Sequence, residues 1–513
     1  MPKPTILLMA LSLPLFVILR AEAAQQAAQQ PAAGPQRGGA PQGRGGGGGG
    51  APVGAPAGGG PAAPTFDYGW KSEEYLVLGD ATRGAGEPMI AVDPTNPKNI
   101  VVVAMANLQM FPGRGNIPVP PGGAGRSTIT TYAVTHDGGM NWRVGELPVM
   151  NSTTQRCPDA FADVMKDGTF IAGCEIRQTV PGGNESSSLI VSRDKGETWS
   201  APTEVIGYNR SRYAPGLTPF ISGASPYDRP FTSIDDSTGV IYGVAQGGSA
   251  DEGGGKNRRQ AYITASTDGG KSFGTIYPFD SRDYPQSSRG MGEAAAFGEV
   301  AVLYGAASVP AKDQATCPCV VFGLSRDMGK TFAYRVIKGR TFDGSGEEGG
   351  GGSAANRLAA DPTTAGRFAV LSFIPGASPR WEVVLSDDHG QTWSQPVTAG
   401  ATPGASILTK PAFEYSREGI LALMWRAQYP DGTYDIWSSI SKDGGRTFSV
   451  PLKVSHAKSP LKDPTRTAGN FGDDVQDFSM DKENVHLVWG DSRSGFMGVY
   501  YGRVAFSAYQ FSR

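Results

Sequence analysis

Acids and bases recur at the ends of a repeated set of apolar strand-like runs, and their types suggest acid–base and anion-holding chemistry. At the starts of one set of runs stand Glu87, Asp159, Asp228-Arg229, Glu293, Arg357 and Lys410. At the ends of the runs that follow stand Glu175, Arg177, Trp425-Arg426, Asp491 and Arg493. Two carboxyl groups facing one substrate can act as proton donor and as base or nucleophile, the chemistry of glycoside cleavage. Glu87, Asp228, Glu293 and Asp491 are the catalytic candidates. Arginine can hold a ligand carboxylate through two parallel hydrogen bonds. Arg177, Arg229, Arg426 and Arg493 are therefore substrate-binding candidates, together with Lys410 and the aromatic Trp425.

Other chemistries find less support. Gly270-Lys271-Ser272-Phe273-Gly274 matches Gly-x-Ser-x-Gly, but a nucleophile elbow needs a strand-to-helix turn, which the surrounding pattern lacks. The chain has 4 histidines and no paired-His metal motif, so no metal or other cofactor is expected. Two Gly-rich acidic stretches, Asp251-Glu252-Gly253 and Asp343 to Gly352, read as exposed insertions. Cys157 and Cys174 flank a strand–turn–strand centred on Lys166-Asp167-Gly168, and a disulfide between them is expected. Cys317-Pro318-Cys319 is too closely spaced for an unstrained bridge.

The elements that must position these residues are set by one eight-residue pattern, Ser/Thr-x-Asp-x-Gly-x-Thr-Trp/Phe, in which the seventh position also takes Asn or Ser. It opens as Thr135-His136-Asp137-Gly138-Gly139-Met140-Asn141-Trp142 and returns from Ser192, Ser266, Ser325, Ser386 and Ser441. Its aspartates are Asp137, Asp194, Asp268, Asp327, Asp388 and Asp443, spaced by 57, 74, 59, 61 and 55 residues. A period near sixty denotes a repeat architecture. An aspartate here can accept hydrogen bonds from backbone N–H groups just ahead of it, as in an Asx-turn. The glycine supplies a positive φ, and the closing aromatic packs beneath the turn. Six copies are too many for one active site, so these aspartates are expected to be structural.

On these residues the chain resembles the BNR/Asp-box repeat family, whose best-known members are the sialidases. The resemblance implies an all-β fold, a β-propeller of four-stranded antiparallel blades with each box between the third and fourth strands. Before most boxes lies a strand–turn–strand unit, beginning at Glu87, Pro158, Arg229, Glu293, Arg357 and Pro411. A seventh, Asp474 to Trp489, has no box after it. Seven units favour seven blades over six, the last completed by an outer strand from near Glu74–Leu78, which leaves no open sheet edge. Antiparallel pairing then puts first-strand starts and second-strand ends together on the face opposite the boxes. In sialidases the resemblance implies an Arg-Ile-Pro motif at the first strand. Here that strand reads Gly86-Glu87-Pro88-Met89-Ile90, with an acid in the arginine's place.

Residues 1–23 read as a secretory signal, with Lys3 before an apolar run from Ile6 to Ile18 and Ala21-Glu22-Ala23 as the cleavage site. Residues 24–65 are Gln, Ala, Pro and Gly, a tether unable to bury a core, and 66–513 form the propeller. A net charge of −2 gives no reason to expect nucleic acid as a partner. The sequence thus points to a secreted or periplasmic monomer without a transmembrane anchor after cleavage, with a glycan or glycoconjugate as partner. Two functions fit, a sialidase-like exo-glycosidase or a non-catalytic propeller that binds glycan or protein.

Overall fold

A computed structural model describes residues 71–512, apart from 81–83, 108–127, 151–154, 179–185, 208, 218–227, 251–256, 342–356 and 462–474. The expected signal, tether and Gly-rich acidic stretches lie outside the described residues. Seven antiparallel sheets follow one another around a common axis. Blade 1 comprises Gly84–Val92, Ile100–Asn107, Thr128–Thr135 and Arg143–Glu146, from axis to rim. Blades 2 to 6 begin on the axis with Phe161–Val164, Asp228–Asp235, Gln286–Ala296, Arg357–Ala360 and Ile407–Tyr415. Blade 7 takes Asp477–Met480, Asn484–Asp491 and Gly498–Ala505 from the C-terminal end and Ser72–Leu78 as its outer strand. The fold is the seven-bladed propeller, closed as expected by an N-terminal strand. Among the described residues, no helix is long and apolar enough to cross a membrane.

The second strands show why the chain folds this way. Ile-Val-Val-Val-Ala-Met at 100–105 and Leu421–Gln428 are buried throughout, on both faces. A strand covered on both sides reads as a continuous apolar run rather than an alternation, and here neighbouring blades provide the cover. The core accordingly divides into seven main clusters, one at each junction between adjacent blades. Burial of Trp381, Trp425 and Trp489 anchors the last three blades.

Each box is a hydrogen-bonded turn seated on the preceding blade. In blade 5, Asp388 Oδ1 accepts from Ser386 Oγ (2.8 Å), Gln391 N (3.0 Å) and Thr392 N (2.9 Å), while Oδ2 accepts from Thr392 Oγ1 (2.6 Å). Those bonds, led by the Thr392 hydroxyl, hold the carboxyl down at about 2. The first four repeat the Ser/Thr-to-Asp bond and the bond from the seventh residue's side chain, and Asp443 does the same in blade 6. All six aspartates are thus turn-formers. Gly390 has φ +75°, and a Cβ placed there would lie 2.3 Å from the Phe322 ring of blade 4. The equivalent Gly445 faces Leu385 of blade 5 at 2.8 Å.

Blade closure rests on an ion pair as well as on the strand ladder. Arg493 donates through Nη1 to Glu74 Oε1 (2.6 Å) and through Nε and Nη2 to Asp491 Oδ2 (2.8 and 2.6 Å). Its guanidinium also lies 4.5 Å from the Tyr500 ring centre. The N-terminal strand is thereby fastened to the end of the second strand of blade 7.

Two outcomes are expected. Gly390→Ala should lower stability in urea by about 3 kcal/mol, combining overpacking with backbone strain. Gly239→Ala, at φ +74° with nothing within 4 Å, should lose only the strain. Arg493→Ala should cost about 3 kcal/mol, because it strands two buried carboxylates. Unchanged denaturation midpoints would contradict both accounts.

Candidate functional site

The first strands of the blades enclose a lumen of about 310 Å³ on the propeller axis. Asp163 of blade 2, Glu293 of blade 4, Glu414 of blade 6 and Asp477 of blade 7 line it, beside apolar groups such as Met89 and Phe231. Pairing register fixes their depth. Asp163 opposes Ile171 and Glu414 opposes Ala422, each one rung before the last pair of its hairpin, Val164 with Phe170 and Tyr415 with Leu421. The two carboxyls therefore stand at one level in blades on opposite sides of the ring. Asp477 lies nearer the other mouth, with Oδ2 accepting from Ile90 N of blade 1 at 3.0 Å.

One residue spans the lumen at the box end. Arg417, in the hairpin turn of blade 6, donates from Nε to Asp236 Oδ2 (2.6 Å) and from Nη2 to the Val164 carbonyl (2.8 Å). Asp236 belongs to the hairpin of blade 3 and Val164 to blade 2, both across the axis from blade 6. A guanidinium that reaches the far wall bridges the floor.

Burial raises these four carboxyls, while hydrogen bonds led by the Ser237 side chain hold Asp235, which also lines the lumen, below its ordinary value despite its burial. Glu293 is pushed up to about 8, chiefly by desolvation, with the Arg357 cation opposing and the Asp163 carboxylate adding to the rise. Glu414 rises to about 8 for the same first reason, reinforced by Asp163 and Asp477. Asp163 and Asp477 rise to about 7, again through desolvation. Glu414 is exposed rather than buried, but the lumen walls around it leave a carboxylate there solvated less well than at a free surface. Four acids that repel one another share their protons as a set.

The residues singled out from sequence separate into distinct groups. Glu293 and Arg357 do line the lumen, although Glu293 lies inside its strand rather than at the start. Glu87 and Lys410 are buried with φ of 53° at each, beside bulges in their first strands. Asp159 shares the left-handed backbone, with φ 49°. Glu175 and Arg426 are buried, the latter 4.1 Å from the Tyr434 ring centre. Trp425 is core, its Nε1 donating to Thr402 Oγ1 at 2.9 Å. Asp491 is wholly buried, and its oxygens accept from Ser459, Trp489 and Arg493. Asp491 and Arg493 thus serve closure. Asp228, Arg229 and Arg177 lie in strands, and their side chains lie outside the described residues. Cys157 and Cys174 are joined, with Cα atoms 5.5 Å apart, and Cys317 is joined to Cys319.

Sequence reasoning passed over Asp163, Glu414, Asp477, Arg417 and Asp236. A signal was present for the first three, since each is a lone acid within an apolar first strand: Phe-Ala-Asp-Val, Ala-Phe-Glu-Tyr and Asp-Phe-Ser-Met. Arg417 carried none, because its partners lie 181 and 253 residues away.

The raised lumen carboxyls should make stability fall with pH. An acid whose folded value exceeds its unfolded value of about 4.3 costs nothing below that value, and costs progressively more until the folded value is passed. Glu414→Gln should therefore raise the melting temperature at pH 8 and leave it unchanged at pH 4. Equal shifts at both values would refute the assignment.

No protein-family model matches the chain, and no curated protein matches it. Solved structures similar in course include a protein of unknown function from Dyadobacter fermentans, at 11% identity and TM-score 0.45, covering 85% of this chain and 99% of that one. The Hadza microbial sialidase Hz136 is similar at 15% identity and TM-score 0.41, covering 74% of each chain. A Penicillium chrysogenum α-L-arabinanase complexed with arabinobiose is similar at 11% identity and TM-score 0.42, covering 85% of this chain and 99% of that one. At such identities the likeness concerns the course of the chain and not its site residues.

Proposed function

We propose that this protein is an exported glycan-acting propeller, a glycoside hydrolase whose substrate enters the lumen from the face opposite the boxes. The observation that carries this reading is Glu293. It is a carboxylic acid held near pKa 8 in a cavity of about 310 Å³, within electrostatic reach of Arg357 and Asp163. An acid kept protonated at neutral pH by its surroundings is the property required of a group that protonates a leaving oxygen. The cavity lies at the lower end of the size range for small-ligand pockets and suits a single sugar ring.

In this reading Glu293 is the proton donor. Asp163, whose field helps to raise it, is the second carboxyl of the pair. Once Glu293 has given up its proton, Arg357 favours the resulting carboxylate, so the donor is not trapped in its protonated form. Arg417 and Asp236 neutralise each other at the floor. They shape the site and leave its chemistry to the acids above them.

A panel of fluorogenic glycosides, including an α-sialoside, tests the proposal on the purified protein. Glu293→Gln should lose at least about 100-fold in kcat, the usual worth of a general acid, with its circular dichroism and melting transition retained. Activity of the wild type should decline on the alkaline side through about pH 8, where Glu293 loses its proton. Full turnover by the Gln variant would exclude Glu293 as the donor. Absence of cleavage across the panel would favour the binding propeller.

A further inference from the structure

Positions two and six of consecutive boxes meet across a blade junction, and the junction of blades 4 and 5 differs from two others in its charges. At the junction of blades 1 and 2, the sixth residue is Glu197 and the second residue of the preceding box is His136. His136 donates from Nε2 to Glu197 Oε1 at 2.6 Å, and Arg143, on the outer strand of blade 1, brings Nη2 to 3.1 Å from Oε2. At the junction of blades 5 and 6 the same two positions are Arg446 and Asp387, paired at 2.7 Å with the charges reversed. At the junction of blades 4 and 5 they are Gln391 and Arg326, an uncharged amide and a cation.

These two residues border a groove of about 290 Å³ that shares no lining residue with the lumen. Strand register brings a second cation to it. Arg335 pairs with Phe322, whose ring packs against Phe368 and Trp393 of blade 5. Directly paired residues share a face of the sheet, so Arg335 also faces blade 5. Among the described residues Arg335 makes no hydrogen bond or ion pair, and Arg326 engages only its Nε, with Glu299 Oε1 at 2.7 Å. The other Glu299 oxygen meets His389 Nδ1 at 2.8 Å. Asp327 lines the groove as well, but its oxygens accept from Ser325 Oγ, Thr331 N and Thr331 Oγ1 within its own turn. Gln391 folds back on its box, donating from Nε2 to the Asp388 carbonyl at 3.1 Å.

We infer that this groove binds the carboxylate of an acidic sugar, such as a uronate residue of a polysaccharide, between the guanidinium groups of Arg326 and Arg335. The ligand's carboxylate takes the part that the Glu197 side chain plays at the junction of blades 1 and 2. Arginine presents paired N–H donors that match a carboxylate bidentately, and Arg326 can offer both terminal nitrogens while its Nε stays on Glu299. Leu324 and Ala333, which also line the groove, give apolar surface to the C–H groups of a sugar ring. That the anion is a carboxylate follows from the groove itself, whereas its being carried by a sugar rests on the glycan-acting reading. The groove lies at the boxes, away from the axis, so binding there is independent of any reaction in the lumen.

Calorimetric titration of the full chain at pH 7 with trigalacturonate, its methyl ester and sodium sulfate tests the inference. Trigalacturonate should bind at least about tenfold more tightly than its uncharged ester, and its affinity should fall as sodium chloride is raised. Arg335→Ala should weaken binding at least about tenfold. Gln391→Glu should weaken it as much, because the protein then supplies the carboxylate that Glu197 supplies between blades 1 and 2, and its melting temperature should be no lower than that of the wild type. Gln391→Ala, which removes the amide without adding charge, should retain binding. Glu293→Gln should bind trigalacturonate as the wild type does, which separates the groove from the lumen. Absence of trigalacturonate binding, equal affinity for the ester, tighter sulfate binding, wild-type affinity in Gln391→Glu, or loss of binding in Glu293→Gln would each overturn the inference. Glycoside cleavage is read separately, so groove binding without any cleavage would overturn the hydrolase reading and leave this one standing.

Discussion

The seat of each box on the blade before it is the constraint from which the rest of this structure follows. A four-stranded sheet of this kind cannot bury both faces by itself, so stability must come from the junctions between blades. The box supplies the close approach. Its aspartate closes a turn through side-chain and backbone hydrogen bonds, and its glycine lets that turn lie directly on Phe322, Leu385 or their counterparts. Spacing and rotation between blades are set there, at the rim. Where the axial strands stand, and therefore the width of the lumen, is a consequence.

Blade 7 has no box, and the chain meets the same need by other means. Its outer strand comes from residues 72–78, and its hold depends on Glu74, Arg493 and Asp491. Arg503 adds a second pair with Glu73 at 2.7 Å. A closure made by distant chain segments cannot rely on local turn chemistry. The Arg493 pairs are protected from water and supply specificity for the correct strand, and the desolvation they demand is offset only while every partner is present. This explains why residues that looked like ligand-holding groups in the sequence prove to be fasteners.

Much of the fold was legible because it is written locally and repeatedly. The spacing of Asp137, Asp194, Asp268, Asp327, Asp388 and Asp443 gave the blades, and the unboxed unit ending at Trp489 gave the seventh together with its borrowed strand. The candidate site was less legible, since it is assembled from single residues on seven separate strands. Glu293 and Arg357 were found because they were taken for strand starts, a position that happens to face the axis. Glu87 and Lys410 were misjudged as displayed groups. Their left-handed backbone and the neighbouring bulges turn the strand, and no residue pattern announces a bulge at a glutamate or a lysine. Trp425 was read as a substrate-binding candidate, yet its position in a strand covered on both faces makes it core. Asp163, Glu414 and Asp477 would have been recovered by asking which axial strands carry an acid that a purely structural strand would not need.

That question also bears on why the acids persist on the axis. Seven first strands meeting at a narrow opening need only small or apolar side chains to pack, as blade 1 demonstrates with Met89, Ile90 and Ala91. Four carboxyls placed in this setting repel one another and lose hydration, and burial raises each of them toward or past neutrality. Asp163 and Asp477 recover part of that penalty by accepting from Val164 N and Ile90 N, whereas leucine or alanine at the other two positions would remove it. A cost borne at four separate positions around one cavity, above a floor held by Arg417, is the pattern expected when the stability of the empty protein is subordinate to what enters it.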